Sequence, residues 1–149
     1  MISIIRTNSQ NNDFVSLVKL LDEDLAIRDE EEHSFYDQYN KIATIKNCVV
    51  AYNNNKPVGC GAIKLFDPFS IEVKRMYTLP ESRGKGIASL ILNELEQWAK
   101  EIGGKRFILE TGKKQPEAIA LYKKNGFRLV SNYGQYIGIE NSLCFEKHI

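Results

Sequence analysis

The chain has 149 residues, 43% of them hydrophobic and 26% charged, with four prolines; this excludes collagen-like, low-complexity and wholly disordered classes and suits one globular domain. Against 20 lysines and arginines stand 19 aspartates and glutamates, a formal charge of +1, so no bulk field draws the chain to nucleic acid or to an anionic membrane. Cys48, Cys60 and Cys144 are odd in number and far apart, without a close Cys/His ligand spacing, which predicts reduced thiols in a cytoplasmic setting, no disulfide framework and no metal.

The segment before Phe14 has only a few apolar residues, and no window approaches the roughly 18 consecutive apolar residues of a membrane span, so neither export nor insertion is expected. Ser3 to Thr7 is a β-branched run, and the polar cluster Asn8 to Asp13 both stops a strand and caps a helix. From Phe14, the recurrence of Leu17, Val18, Leu21 and Leu25 predicts an amphipathic helix over about 13–25. Asp29 to Lys41 is acidic and aromatic, with Phe35, Tyr36 and Tyr39 on one helical face, which predicts a second short helix. Cys48 to Tyr52 and Val58 to Phe66 read as an antiparallel hairpin about the turn residues Asn53 to Lys56, and Ser70 to Leu79 as the next strand after Asp67-Pro68.

Then the period changes. Ile87, Leu90, Ile91, Leu95 and Trp98 line one side of a helix predicted over about 84–102 and ended by Gly103-Gly104. A strand follows over 106–110, then a helix over 116–125 with Pro116 in its first turn and Gly126 past its end, and final strands over 127–130 and 143–147. The order β-α-α-β-β-β-α-β-α-β-β indicates a mixed sheet with helices on its faces, and residues 71–110 form a right-handed parallel crossover. Ligand sites in such units lie where the helix following a strand begins. That directs attention to 79–88.

There the chain runs Leu79-Pro80-Glu81-Ser82-Arg83-Gly84-Lys85-Gly86-Ile87-Ala88. Small residues at a helix start let backbone N–H groups approach a ligand closely, and the helix dipole with Arg83 and Lys85 favours an anion such as a pyrophosphate. A tight turn bearing solvated basic residues is the plain alternative. A Walker loop needs Gly-x4-Gly-Lys-Ser/Thr and a Rossmann fingerprint a third glycine where Ser89 stands, so both fail.

Arg83-x-x-Gly86-x-Ala88, preceded by Val73-Lys74-Arg75-Met76-Tyr77, resembles the Arg/Gln-x-x-Gly-x-Gly/Ala signature of the GNAT superfamily of acyl-CoA-dependent N-acetyltransferases. Leu109-Glu110-Thr111-Gly112 and Gln115-x-x-Ala118-x-x-Leu121-Tyr122-Lys123-Lys124-Asn125-Gly126-Phe127 resemble its second block, at the right separation. The resemblance covers about residues 45–147 and implies a mixed, mostly antiparallel sheet of about six or seven strands with about four helices, splayed between two central parallel strands.

It further implies transfer of an acetyl group from acetyl-CoA to a primary amine, by direct attack in a ternary complex. The amides of Arg83, Gly84, Lys85, Gly86, Ile87 and Ala88 would hold the CoA pyrophosphate, and the backbone of Met76, Tyr77 and Thr78 would pair with the pantetheine arm. The thioester carbonyl would sit near the Met76 and Tyr77 amides, where an N–H stabilises developing negative charge. Gln115, standing where relatives often have Asn, would reach the cofactor. Tyr122 would protonate the departing thiolate, its alternative being a ring packed on the sheet.

An alkylamine acceptor with a pKa of about 10.4 must lose a proton before attack. Glu72 and Glu110 are the candidate acceptors, with Glu72 the first choice; the alternatives are an ion pair of Glu72 with Lys74 and a turn cap by Glu110. Asp22 to Glu32 carries seven acids against Arg28, either a solvated face or a field that selects a cationic amine, with His33, Tyr36, Tyr133 and Tyr136 completing that pocket. Cys144 reads as a buried strand residue, which disfavours a cysteine nucleophile. The amine is either a small molecule or a peptidyl amine, two alternatives that the sequence leaves open, and a homodimer through the final strands is unsurprising. A non-catalytic acyl-CoA-binding or interaction module is the competing function, against which Arg83, Gly86 and Tyr122 count.

Overall fold

The computed structural model describes residues 1–29 and 45–149. Strand β1 (Ile2–Thr7) leads into helix α1 (Asn12–Asp29), and β2 (Asn47–Asn53), β3 (Lys56–Asp67) and β4 (Ser70–Thr78) form a meander. A 3-10 turn (Pro80–Ser82) precedes α2 (Ile87–Glu101), followed by β5 (Arg106–Gly112), α3 (Pro116–Lys124), β6 (Arg128–Val130), a second 3-10 turn (Gly134–Tyr136) and β7 (Ser142–His148). The sheet has seven strands in the order β1-β2-β3-β4-β5-β7-β6. Of its pairings only β4 with β5 is parallel, so the expected mixed, mostly antiparallel sheet is present. Three α-helices lie among the described residues. The predicted helix at 29–41 falls almost wholly outside them. No helix there is long and apolar enough to cross a membrane.

Each face of the sheet buries a different set of side chains. On one, Ile87, Ile91, Leu92, Leu95 and Ala99 of α2 and Tyr122 of α3 pack on Val49, Ile63, Val73, Phe107, Leu109 and Phe145. On the other, Phe14, Leu17, Val18 and Leu21 of α1 cover Cys48, Val50, Cys60, Ala62 and Tyr77, while Tyr133 and Tyr136 cover Ile108 and Cys144. Between those two covers the same face carries Glu72, Lys74 and Glu110, since Lys74 stands opposite Ala62, Glu72 opposite Ile108, and Glu110 opposite Cys144. The guanidinium of Arg6 clamps β1 to α2, reaching Glu101 at 2.7 and 2.8 Å and Glu94 at 2.6 Å.

Two differences from the sequence expectation have local causes. Helix α2 starts at Ile87 instead of Gly84, because Gly84 and Gly86 both sit at φ 78°, a left-handed conformation that a right-handed helix cannot include. Helix α1 runs to Asp29, one turn beyond Leu25. The glycine stop after α2 is present: Gly103 N–H donates to the Lys100 carbonyl at 3.1 Å, and Gly104 N–H to that of Ala99 at 2.8 Å.

The parallel ladder of β4 with β5 has only three rungs, ending at Glu72 and Ile108, although β4 continues to Thr78 and β5 to Gly112. Just past the last rung β4 bulges against β3, its register shifting between Cys60 and Ala62, and Arg75 takes φ 59°. A bulge bends its strand, and here the bend accompanies the parting of β4 from β5. The expected splay is therefore present, with its closed end at Glu72.

A Cβ on Gly104 would lie 2.6 Å from Ile71 Cγ1 and 2.9 Å from the Ala99 carbonyl oxygen, which is backbone and does not yield. Gly104→Ala is expected to lower unfolding stability by about 1–3 kcal/mol, read as a fall in the denaturant midpoint at unchanged slope.

Candidate active site

The splay opens into a cavity of about 390 Å³ lined by Met76, Tyr77 and Thr78 of β4, by Arg83, Gly84, Gly86, Ile87 and Ala88 of the loop and α2, and by Gln115, Leu121, Tyr122 and Lys124 around α3. These are the residues expected on the cofactor side, except that Lys85 is exposed and outside the lining. Gly86 caps α2 through its backbone alone, with no side-chain hydrogen bond to the first turn. The first intrahelical bond runs from Leu90 N–H to the Gly86 carbonyl at 3.1 Å, so the amides of Ile87, Ala88 and Ser89, residues that line the cavity, precede the helix's own bonding. Those amides and the helix dipole suit an anion.

Arg83 does more than add charge. Its Nε donates to the Thr78 carbonyl at 2.9 Å, and its guanidinium lies 5.6 Å from the centre of the Tyr77 ring. The loop is thereby tied to the end of β4. Asn125 Nδ2 ties the other wall, donating to the Leu121 carbonyl at 2.9 Å and to Ser89 Oγ at 3.1 Å, so the end of α3 is fixed to the start of α2.

A smaller cavity of about 80 Å³ lies deeper in the splay, lined by Glu72, Lys74, Arg75, Glu110, Thr111 and Tyr136, with Leu21 and Leu25 from α1. Leu21, Met76, Gln115 and Tyr122 border both cavities, which makes them one cleft with Tyr122 at the junction. Both expected roles of Tyr122 are compatible with this place: its ring stands edge-on to Phe127 at 5.8 Å, while its buried phenol is raised well above the ordinary range by desolvation and then by the charge of Glu110. Such a phenol is protonated at neutral pH.

Glu72 and Lys74 are 4% and 7% exposed. The Tyr133 hydroxyl donates to Glu72 Oε2 at 2.5 Å, Lys74 Nζ stands 3.6 Å from Glu72 Oε1, and Lys74 Nζ donates to the Tyr136 hydroxyl at 3.2 Å. The Glu72–Lys74 ion pair weighed from the sequence is thus present; Tyr136 lines the inner cavity, while Tyr133 lies outside its lining and reaches it only through the bond to Glu72. Burial lowers the Lys74 ammonium, an effect opposed by the charges of Glu72 and Glu110.

Of the acidic run, Asp22 pairs with Arg75 Nη2, and Asp24 lines the larger cavity. The stretch from Glu30 through His33 and Tyr36 lies outside the described residues. Sequence reasoning missed the Arg75–Asp22 pair and the left-handed backbone of Arg75, for which the residue type carries no signal. Lys74, met only as a neighbour of Glu72, was detectable as a charge inside an otherwise strand-like run. Among the described residues no group of three or more His, Cys, Asp or Glu is placed to hold a metal.

Comparison with known proteins agrees with this geometry. The acetyltransferase (GNAT) family model matches residues 14–127. The IAA acetyltransferase of Azospirillum brasilense is 32% identical over 148 residues, covering 98% of this chain and 97% of its own. The uncharacterized N-acetyltransferase YjcF of Bacillus subtilis is 34% identical over 95 residues, covering 64% and 65%. Among solved structures, a Klebsiella pneumoniae protein provisionally named an acyl-CoA N-acyltransferase superposes with a TM-score of 0.84 at 26% identity, covering 99% of this chain and 97% of its own. A GNAT family acetyltransferase from Elizabethkingia anophelis with acetyl-CoA bound shares the fold at TM-score 0.73 and 20% identity, covering 99% and 98%. The chain belongs to the acetyltransferase (GNAT) family and is an acyl-CoA-dependent N-acyltransferase by class.

All three cysteines are free and buried. Desolvation raises the Cys144 thiol to about 11 and the Cys48 thiol to about 12, and the fully enclosed Cys60 rises further still. A protonated, enclosed thiol is a poor nucleophile. Titration of the folded protein with an aromatic disulfide at pH about 8 is expected to leave all three unreacted over minutes, and titration in denaturant to count three.

Proposed function

We propose that the protein transfers an acetyl group from acetyl-CoA to a primary amine by direct attack within a ternary complex. The observation that carries this reading is the cleft left where β4 and β5 part after three rungs, with the start of α2 at its mouth and Tyr122 at its waist. The residues present fit the cofactor: the unfilled amides at Gly86 to Ala88 suit its pyrophosphate, and the β4 backbone from Met76 to Thr78, no longer paired with β5, suits its amide-bearing arm. Acetyl-CoA supplies the activated acetyl thioester.

The Met76 and Tyr77 amides would stabilise negative charge developing on the acetyl oxygen. Tyr122 would hold a proton beside the departing sulfur, whose thiol has a pKa of about 8.5, and deliver it. A buried carboxylate of the inner cavity would take the proton of the incoming ammonium. Glu72 and Glu110 line that cavity together with Lys74 and with Arg75, whose guanidinium is paired with Asp22, and the carboxylates would meet a cationic amine, whether a free small molecule or the end of a peptidyl side chain. The alternative of a binding module without turnover is disfavoured by a protonated phenol and two carboxylates converging on one cleft.

Tyr122→Phe is expected to lower kcat on the order of 100-fold while the acetyl-CoA Kd stays within about two-fold, measured by thiol release and by calorimetric titration. Retained turnover would remove Tyr122 from the chemistry. Arg83→Ala, which unties the loop from Thr78 and Tyr77, is expected to weaken acetyl-CoA binding by about ten-fold. Gly86→Asp should weaken it more, since it puts a Cβ at φ 78° and a negative charge at the anion site.

A further inference from the structure

The cavity that the acetyl-transfer reading assigns to an incoming amine already holds one. Lys74 is the one buried lysine among the described residues, 7% exposed, and it lines that inner cavity. Resting on that reading, we infer that the enzyme acetylates its own Lys74 when acetyl-CoA is bound and no acceptor fills the cavity, and that this mark closes the site to acceptors.

The register of β4 sets the Lys74 amine beside the reacting segment. Lys74 stands opposite Ala62 and Tyr77 opposite Cys60, so the bulge at Arg75 and Met76 lies between them. Past it, Met76 packs on the α2 face, while Tyr77 joins the cluster under α1, the side on which Lys74 also faces. A thioester held at the Met76 and Tyr77 amides therefore lies next along the strand from a lysine on the acceptor side. Its flexible four-carbon stem lets the amine turn from the Tyr136 hydroxyl, 3.2 Å away, toward that segment. Met76 and Tyr122 line the same cavity as Lys74, so the oxyanion donor, the proton donor and the amine share one space.

The surroundings suit the reaction as well as the position. Glu72, Glu110 and Tyr136 face the Lys74 amine. Burial lowers the ammonium against the raising charges of Glu72 and Glu110, so it yields a proton more readily than a lysine in water. Exposed lysines, such as Lys85 at the mouth, lack both the enclosure and that shift in favour of the free amine.

The step balances. The Lys74 ammonium passes one proton to Glu72, whose Oε1 is 3.6 Å from Nζ, and the nitrogen lone pair forms the C–N bond as the C–S bond breaks. The sulfur takes the Tyr122 proton, and the second proton on nitrogen restores the phenol. An amide on Lys74, a protonated Glu72 and the free thiol remain, so neither partner of the former ion pair is left as an uncompensated buried charge. The added acetyl group occupies a cavity of only about 80 Å³, which is why acceptors are then shut out.

The test is incubation of the purified protein with acetyl-CoA and no amine, followed by intact mass and by peptide mapping, with Lys74→Arg and Tyr122→Phe alongside. Acetyl-CoA titration of each variant verifies that it is folded. Wild type is expected to gain one acetyl group per chain, mapped to Lys74 and counting any already there on isolation, while thiol release with an alkylamine falls in step. Alkylamine present from the start is expected to slow the marking, because both compete for one cavity. Lys74→Arg is expected to gain no acetyl at that position, and Tyr122→Phe to be marked on the order of 100-fold more slowly, by the same factor as its amine turnover. Should Lys74→Arg not fold, Lys74→Met replaces it. Acetyl groups confined to exposed lysines, marking of Lys74 that is indifferent to added amine, or sustained amine turnover with Lys74 unmodified overturns the inference and leaves acetyl transfer standing. Wild-type protein that binds acetyl-CoA, marks no lysine and releases no thiol with any amine is a different result, which overturns the acetyl-transfer reading and this inference with it.

Discussion

Two parallel strands that share three rungs and then part leave peptide groups of β4 turned toward a cleft instead of a neighbouring strand. Buried peptide groups must find partners, so a break in the middle of a sheet is stable only if something else meets them. The rest of the molecule is arranged about this break. The α2–α3 face supplies the mouth, with the capping Gly86 and the Asn125 tie; the α1 face supplies the floor, with Glu72, Lys74 and Glu110. Tyr122 alone of the candidate catalytic side chains borders both cavities, which is why its burial, its aromatic packing and its proposed proton delivery are one feature.

The same break explains the unusual polarity of the β4–β5 interior. Glu72 and Lys74, in the middle of a strand, are almost wholly buried, an arrangement that is costly unless the charges are paired and hydrogen-bonded. Tyr133 and Tyr136 supply the added hydrogen bonds from the loop leading into β7. On the neighbouring stretch, the Arg75 guanidinium is paired with Asp22 across to α1, so the bulged residue is anchored by a helix. The helix and the loop that cover this face thus hold the two strand segments on which the splay depends.

Much of this was legible in the chain. Ile87, Ile91 and Leu95 announce α2 by their period, Gly103-Gly104 its end, and Pro116 and Gly126 the limits of α3, because these signals are local. The displaced start of α2 shows the limit of such reading: Gly84 permits a helix but also a left-handed turn, and the turn was adopted at both glycines. The acidic run illustrates the same limit, since only the partner revealed that Asp22 serves Arg75. The left-handed Arg75 was not legible, being set by the register with β3 and by α1, not by its residue type. Nor was the bond from Tyr133 to Glu72, which joins residues 61 positions apart. The resemblance to the acetyltransferase (GNAT) family supplied the splay and the site residues, and the family match and the shared fold bear out the class.

The claim that the parted strands and the start of α2 receive acetyl-CoA is tested most directly by amide hydrogen exchange with and without that ligand. Protection is expected at the amides of 76–78 and 83–88, with little change in the strands remote from the cleft, such as β1 and β6. Binding that left those two segments unprotected, or that protected a different part of the sheet, would contradict it.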